Sequence, residues 1–266
     1  MTALSISDIL ARIFTRGEMM RSSACFALMI AAIVMPAFAA EGNYLYRAEM
    51  VQAAPGKFTE LVELYAKQAS LAGTTGDAPA LMMRHSQGDR WDLLLFYPMG
   101  SYAEYYGAER IAKRRKPESE SLARQIQQNI AWREDLFLYG PPLDALKTAF
   151  ANSRFYHIEM LHALPGRQAE LAKEREMESA YNQALGRPEL FIFMRDAGAH
   201  YDVLSIDFYR DIKHYAESAD ITPEKQQAAA KSAGYIAPEQ IAPFLRSIIA
   251  DHHDTLAVAV TPSQQR

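Results

Sequence analysis

Two periods of apolar and polar residues alternate along the chain, and the changes of period mark the elements. Tyr44–Ala53 alternates larger apolar with polar residues, the pattern of a half-buried strand, and Pro55-Gly56 ends it. Phe58, Leu61, Val62, Leu64, Tyr65 and Leu71 then recur at helical spacing, and residues 73–77 read as a loop. Residues 81–85 and 91–97 flank Gln87-Gly88-Asp89 and predict a hairpin. A short helix begins at 100–106, residues 110–116 and 118–130 continue helically, and 135–139 predict a last strand. The order then recurs. Phe155–Ala163 reads as strand, 168–184 as helix, and 190–195 with 201–209 as a hairpin around Gly198. Residues 211–217 start a second helical region, Thr222-Pro223 and Ala237-Pro238 offer further helix starts, and 256–260 predict the closing strand.

The recurrence extends to individual residues. Tyr46/Tyr156, Glu49/Glu159, Met50/Met160, Pro55/Pro165 and Gly56/Gly166 pair at one constant offset, and Trp91-Asp92 answers to Tyr201-Asp202 at the same offset. The chain therefore reads as a tandem duplication, with repeats at 41–140 and 154–261, a linker at 141–153 and a tail at 262–266. Each repeat runs β-α-β-β-α-β, the order of the ferredoxin-like split βαβ motif. A four-stranded sheet with helices on one side leaves its other face uncovered, and the second copy supplies the cover. The predicted fold is α+β, with two four-stranded antiparallel sheets facing each other as an intrachain α/β barrel. Internal pairing makes a monomer the expected state.

This order, with Pro-Gly after the first strand, resembles the dimeric α/β-barrel superfamily, which includes antibiotic-biosynthesis monooxygenases, stress-responsive A/B-barrel proteins, chlorite dismutases and haem-degrading monooxygenases. The resemblance covers residues 44–260 and is one of architecture; no diagnostic catalytic motif of a single member is found. It implies cofactor-free or haem-dependent oxidative chemistry as one alternative, with haem as the implied cofactor of the second kind.

Strand phase nominates the site. With Tyr156, Ile158 and Met160 assigned to the helix-covered face, His157, Glu159 and Leu161 turn to the space between the sheets. Arg47, Glu49 and Val51 follow in the first repeat. So do Trp91, Leu93, Leu95 and Tyr97, and Tyr201, Ser205, Asp207 and Tyr209, on the third strands. Glu159, His157, Asp207 and Glu49 are the candidate acids, bases or shuttles. Arg47, Trp91, Tyr97, Tyr201 and Tyr209 are the candidate ligand-binding residues. The plainer role for both glutamates is a buried bridge to a cation. No metal site is expected: adjacent His252-His253 point in different directions, and the stretch reads as a turn from helix to strand.

Composition narrows the setting. Met19-Met20-Arg21, the apolar run 24–34 and Ala37-Phe38-Ala39 after Pro36 read as a signal peptide cleaved after Ala39, with residues 1–18 a possible misassigned upstream start. Without residues 1–40 the chain has 25 basic and 30 acidic residues, which gives no electrostatic case for nucleic acid. The one cysteine, Cys25, lies in the signal core, so the exported chain has neither disulfide nor thiol nucleophile. The location implied is periplasmic or secreted, with no stable membrane insertion after cleavage. Three functions remain open at this level. The first is an exported protein holding a small apolar or aromatic molecule between its sheets. The second is an enzyme of the two oxidative kinds above. The third is a non-catalytic structural or interaction protein whose barrel is filled by its own side chains.

Overall fold

The computed structural model describes residues 44–260; the signal segment, its cleavage site and the tail lie outside these residues. The first repeat comprises β1 (Tyr44–Ala53), α1 (Phe58–Thr75), β2 (Leu81–Gln87), β3 (Leu93–Gly100), the short helices α2 (Tyr102–Tyr105) and α3 (Ala108–Arg114), α4 (Pro117–Gln128) and β4 (Ile130–Gly140). A connecting helix α5 (Leu143–Asn152) leads to β5 (Phe155–Ala163), α6 (Gln168–Leu185), β6 (Leu190–Gly198) and β7 (Val203–Tyr209). Then come α7 (Ile212–Ala216), α8 (Pro223–Ser232), α9 (Ile241–Ile248) and β8 (Ile249–Ala259). Helix starts follow the sequence cues: the Thr222 hydroxyl accepts from the Lys225 N–H ahead of Pro223, and Asp211 accepts from the Lys213 and His214 N–H groups.

All eight strands form one closed antiparallel barrel in the order β1-β3-β2-β8-β5-β7-β6-β4. The two seams between repeats, β2 with β8 and β4 with β6, each contain a register shift. Gly88 and Gly198, equivalent in the two repeats, sit at these seams with φ of 112° and 104°. A Cβ there would lie 2.2 Å from the Asp254 carbonyl oxygen or 2.3 Å from that of Asp135, so only glycine lets the strands approach. Closure leaves no unpaired edge within the ring.

The side-chain phase is the reverse of the sequence expectation. Tyr46, Ala48 and Met50 of β1, Leu94 and Phe96 of β3, Tyr156, Ile158 and Met160 of β5, and Leu204, Ile206 and Phe208 of β7 point inward and form one core shared by both repeats. Arg47, Glu49, Val51, Leu93, Leu95 and Tyr97 instead face α1 and α4, and His157, Glu159, Leu161, Ser205, Asp207 and Tyr209 occupy the same face of repeat two. The physical reason is that the barrel interior is packed mainly with apolar and aromatic side chains, whereas Tyr65 and Arg175 of the facing helices reach the two glutamates. The barrel is filled. Phe193 packs 4.9 Å from the Phe96 ring and 5.6 Å from that of Tyr46, and a Cβ on Gly140 would sit 2.2 Å from Phe193. The space between the sheets, where the strand phase put a ligand, is occupied here by these side chains.

The closing strand also differs from its prediction. β8 begins at Ile249, so His252-His253-Asp254 is strand and pairs with β5 opposite Leu161, Met160 and Glu159. Nine consecutive residues of β5 supply the ladder that draws this polar stretch into extended backbone.

Candidate functional site

An open space lies between sheet and helices of the first repeat. A cavity of about 310 Å³ is walled by Ala69, Leu71, Ala72, Leu122, Ala123 and Ile126 of α1 and α4, and floored by Arg47, Glu49, Tyr97 and Arg133 of the sheet. Three small alanines on facing helices leave room that larger residues would close.

The floor is polar and organised around Glu49. Tyr65 of α1 donates its hydroxyl to Glu49 Oε1 at 2.5 Å, and Arg47 Nη2 lies 3.2 Å from Oε2. Arg133 stands 3.7 Å from Glu49 and 2.7 Å from Asp135, which sits opposite Glu49 on β4. The Arg47 guanidinium rests over the Tyr97 ring at 4.3 Å. Its Nε is buried without a hydrogen-bond partner, a donor left over by the protein. Burial works against the charge of Arg47, but Glu49 and Asp135 keep it protonated. Burial and then Glu49 hold the Tyr65 hydroxyl far above its usual range, so Tyr65 acts as a donor. At the mouth, Arg110 and Arg114 both bind Asp77, at 2.6 and 2.9 Å, and Arg114 lies 3.6 Å over Tyr105. Two arginines of the basic run thus fasten α3 to the end of α1.

Repeat two puts a different chemistry at equivalent positions. Where Tyr65 meets Glu49, Arg175 meets Glu159, its Nη1 2.6 Å from Oε2. Arg175 is fully buried and also binds Glu174 at 2.6 Å and Glu178 at 2.5 Å. Where Arg47 stands, His157 does, with Nδ1 3.1 Å from Asp207 and Nε2 3.5 Å from Asp254. Burial opposes protonation of His157, but Asp207, Asp254 and Glu159 outweigh it and push the imidazole up to about 11. Burial raises Glu159 above the usual carboxylate range against the pull of Arg175, and raises Glu178 to about 7.

The nine nominated residues thus separate into three places. Arg47, Glu49 and Tyr97 line the cavity. His157, Glu159 and Asp207 meet on the outer face of repeat two, with Tyr209 beside them, buried and accepting from Arg187 at 2.6 Å. Trp91 and Tyr201 lie just before β3 and β7, outside the strand alternation, and belong to the barrel core. Tyr65, Gln68, Arg114 and Arg133 also line the cavity, and strand alternation does not point to them. Tyr65 and Arg175 share the repeat offset, and that pairing was the available signal.

Haem does not suit these residues. Among the described residues no histidine lines the cavity, and both His157 nitrogens face carboxylates. A single ion is a different matter: one donor atom each from His157, Glu159 and Asp254 lies within 4.8 Å of the others.

No protein-family model matches the chain, and no curated protein does. Solved structures match it across most of their length. An anthrone oxidase-like protein superposes with a TM-score of 0.54 at 12% identity, over 83% of this chain and 93% of its own. A candidate monooxygenase from Fusobacterium nucleatum subsp. nucleatum gives 0.52 at 11% identity over 83% and 94%, and one from Lactobacillus acidophilus gives 0.50 at 6% over 81% and 93%. At such identities the likeness is one of fold alone, that of the closed eight-stranded α+β barrel described above.

Proposed function

We propose that this protein binds a small, flat, largely apolar molecule carrying at least one hydrogen-bonding oxygen, in the cavity between sheet and helices of its first repeat. The observation that carries the reading is the combination of an apolar wall with the buried, unpartnered Nε of Arg47 on the floor. Such a donor costs free energy while it lacks a partner, and an acceptor oxygen on the ligand recovers it. Native mass spectrometry of the purified chain, followed by thermal-shift screening of hydroxylated and carboxylated aromatics, tests this. Ala72→Phe fills the cavity from α1 and should abolish binding with the fold retained. Binding undiminished by that substitution would refute the location.

A second reading has a specific observation behind it. Glu49 is a carboxylate held by Tyr65 and Arg47 at the cavity floor, and proteins of the same fold include candidate monooxygenases and an anthrone oxidase-like protein. In this reading Glu49 takes a proton from an acidic methylene of an aromatic ligand, and Arg47 offsets the resulting anion. The carbanion gives its electrons to dioxygen, one oxygen stays on carbon as a carbonyl and the other leaves as water. Oxygen uptake on adding anthrone-type substrates should then fall at least ~100-fold in Glu49→Gln. No uptake with a substrate that demonstrably binds leaves the first reading alone. The export reading is likewise part of this proposal: N-terminal sequencing of periplasmic protein should begin at or near Ala40.

A further inference from the structure

The outer face of the second repeat carries donors that the cavity does not use. His157 and Glu159 stand two apart on β5 and share a face, and Asp254 lies opposite Glu159 on β8. Their donor atoms fall within 4.8 Å of one another. His157 Nε2 is 3.5 Å from Asp254 Oδ1, and His252 Nε2 is 3.4 Å from Asp254 Oδ2. Both are long for hydrogen bonds. The first matches the edge of about 3.4 Å that separates two ligands around a tetrahedral ion with bonds of about 2.1 Å.

The surroundings hold these atoms in place. Asp207 Oδ2 sits 3.1 Å from His157 Nδ1 and leaves Nε2 turned to Asp254, the arrangement by which a carboxylate orients a metal-binding imidazole. Asp207 is only 5% exposed, and its Oδ1, on the same face, has no hydrogen-bond partner. Charge points the same way. Glu159, Glu174 and Glu178 bind the Arg175 guanidinium, and Asp207 and Asp254 flank His157, so five carboxylates face one guanidinium and one imidazole. A divalent ion that displaces the proton of His157 Nε2 offsets more of this negative charge than the imidazolium does.

We propose that His157, Glu159 and Asp254 bind one divalent transition-metal ion on the second repeat. The imidazole favours zinc-like ions over calcium and magnesium, which take oxygen ligands. Asp254, with its side chain 52% exposed, opens the site to solvent. The inference stands apart from the ligand cavity, which lies on the other repeat.

The test uses the mature chain stripped with EDTA and titrated with Zn²⁺ by calorimetry, with Co²⁺ absorption as a second readout. One equivalent of Zn²⁺ should bind and raise the melting temperature, while Mg²⁺ and Ca²⁺ at the same concentration should not. His157→Gln and Asp254→Asn should each weaken Zn²⁺ at least tenfold and remove the Co²⁺ d–d bands. His253→Gln, which alters the neighbouring pair with Asp89, should leave both unchanged. Circular dichroism of each variant keeps loss of fold distinct from loss of ligand. Absence of stoichiometric Zn²⁺ binding by the parent chain, or binding that survives both substitutions in folded protein, would overturn the proposal.

Discussion

Glu159→Gln and Glu49→Gln delete the same charge at equivalent positions, yet the structure gives them unequal costs. At Glu159 the partner is Arg175, a guanidinium with no solvent exposure, bonded at 2.6 Å. Removing one member of a buried pair typically costs about 3–5 kcal/mol, because the other charge is stranded. Arg175 keeps Glu174 and Glu178, so the lower end, about 3 kcal/mol, is expected. At Glu49 the glutamine oxygen still accepts the Tyr65 hydroxyl, and Arg47, about a quarter exposed, still has Asp135 at 3.7 Å. The loss there is one charge-assisted bond, about 1 kcal/mol. At about 2–4 °C per kcal/mol for a domain of this size, melting in EDTA should fall by about 6–12 °C for Glu159→Gln and about 2–4 °C for Glu49→Gln. Differential scanning calorimetry on both variants decides. Equal shifts, or the reverse order, would refute the claim that Arg175 depends on Glu159.

Met160→Ala removes a fully buried side chain from the barrel interior and should cost about 2–5 kcal/mol in denaturant unfolding; a loss below about 1 kcal/mol would contradict a filled barrel. Burial opposes ionisation of Asp77, but bonds from Arg114, Arg110 and Thr75 prevail and hold its pKa below the usual value. Its contribution to stability is therefore full above about pH 4 and lost as pH falls through the lowered folded value. Asp77→Asn should flatten that part of the acid limb in pH-dependent melting. Tyr65→Phe removes the hydroxyl donor to Glu49 and should destabilise by about 1–2 kcal/mol, with the cavity wall intact in thermal-shift assays.

The architecture was legible because it rests on local signals. The Tyr-Glu-Met spacing of the first strands, the Pro-Gly turns and the hairpin glycines 88 and 198 all recur at one offset, and each of these local features is seen in the fold. The phase was not legible. β1 and β5 are buried on both faces, so alternation separates Tyr46-Ala48-Met50 from Arg47-Glu49-Val51 without saying which set faces the core. Alternation places the two glutamates together with charged and aromatic neighbours, but their partners Tyr65 and Arg175 lie sixteen positions further on and are brought over the sheet by a helix. Trp91 and Tyr201 misled for another reason: they precede their strands, where period-two logic does not hold. β8 was cut short because its polar start, Asp251-His252-His253-Asp254, has no apolar alternation, and pairing with β5 outweighs that.

The barrel closes within one polypeptide, and this has a consequence for how its halves can change. In a symmetric pair of identical chains every substitution appears twice, so a residue useful in one copy must be tolerated in the other. Here Tyr65 and Arg175, or Arg47 and His157, occupy matching places but are encoded separately. One half can keep an open chamber while the other becomes a tightly charged block, and neither inherits the constraints of its twin.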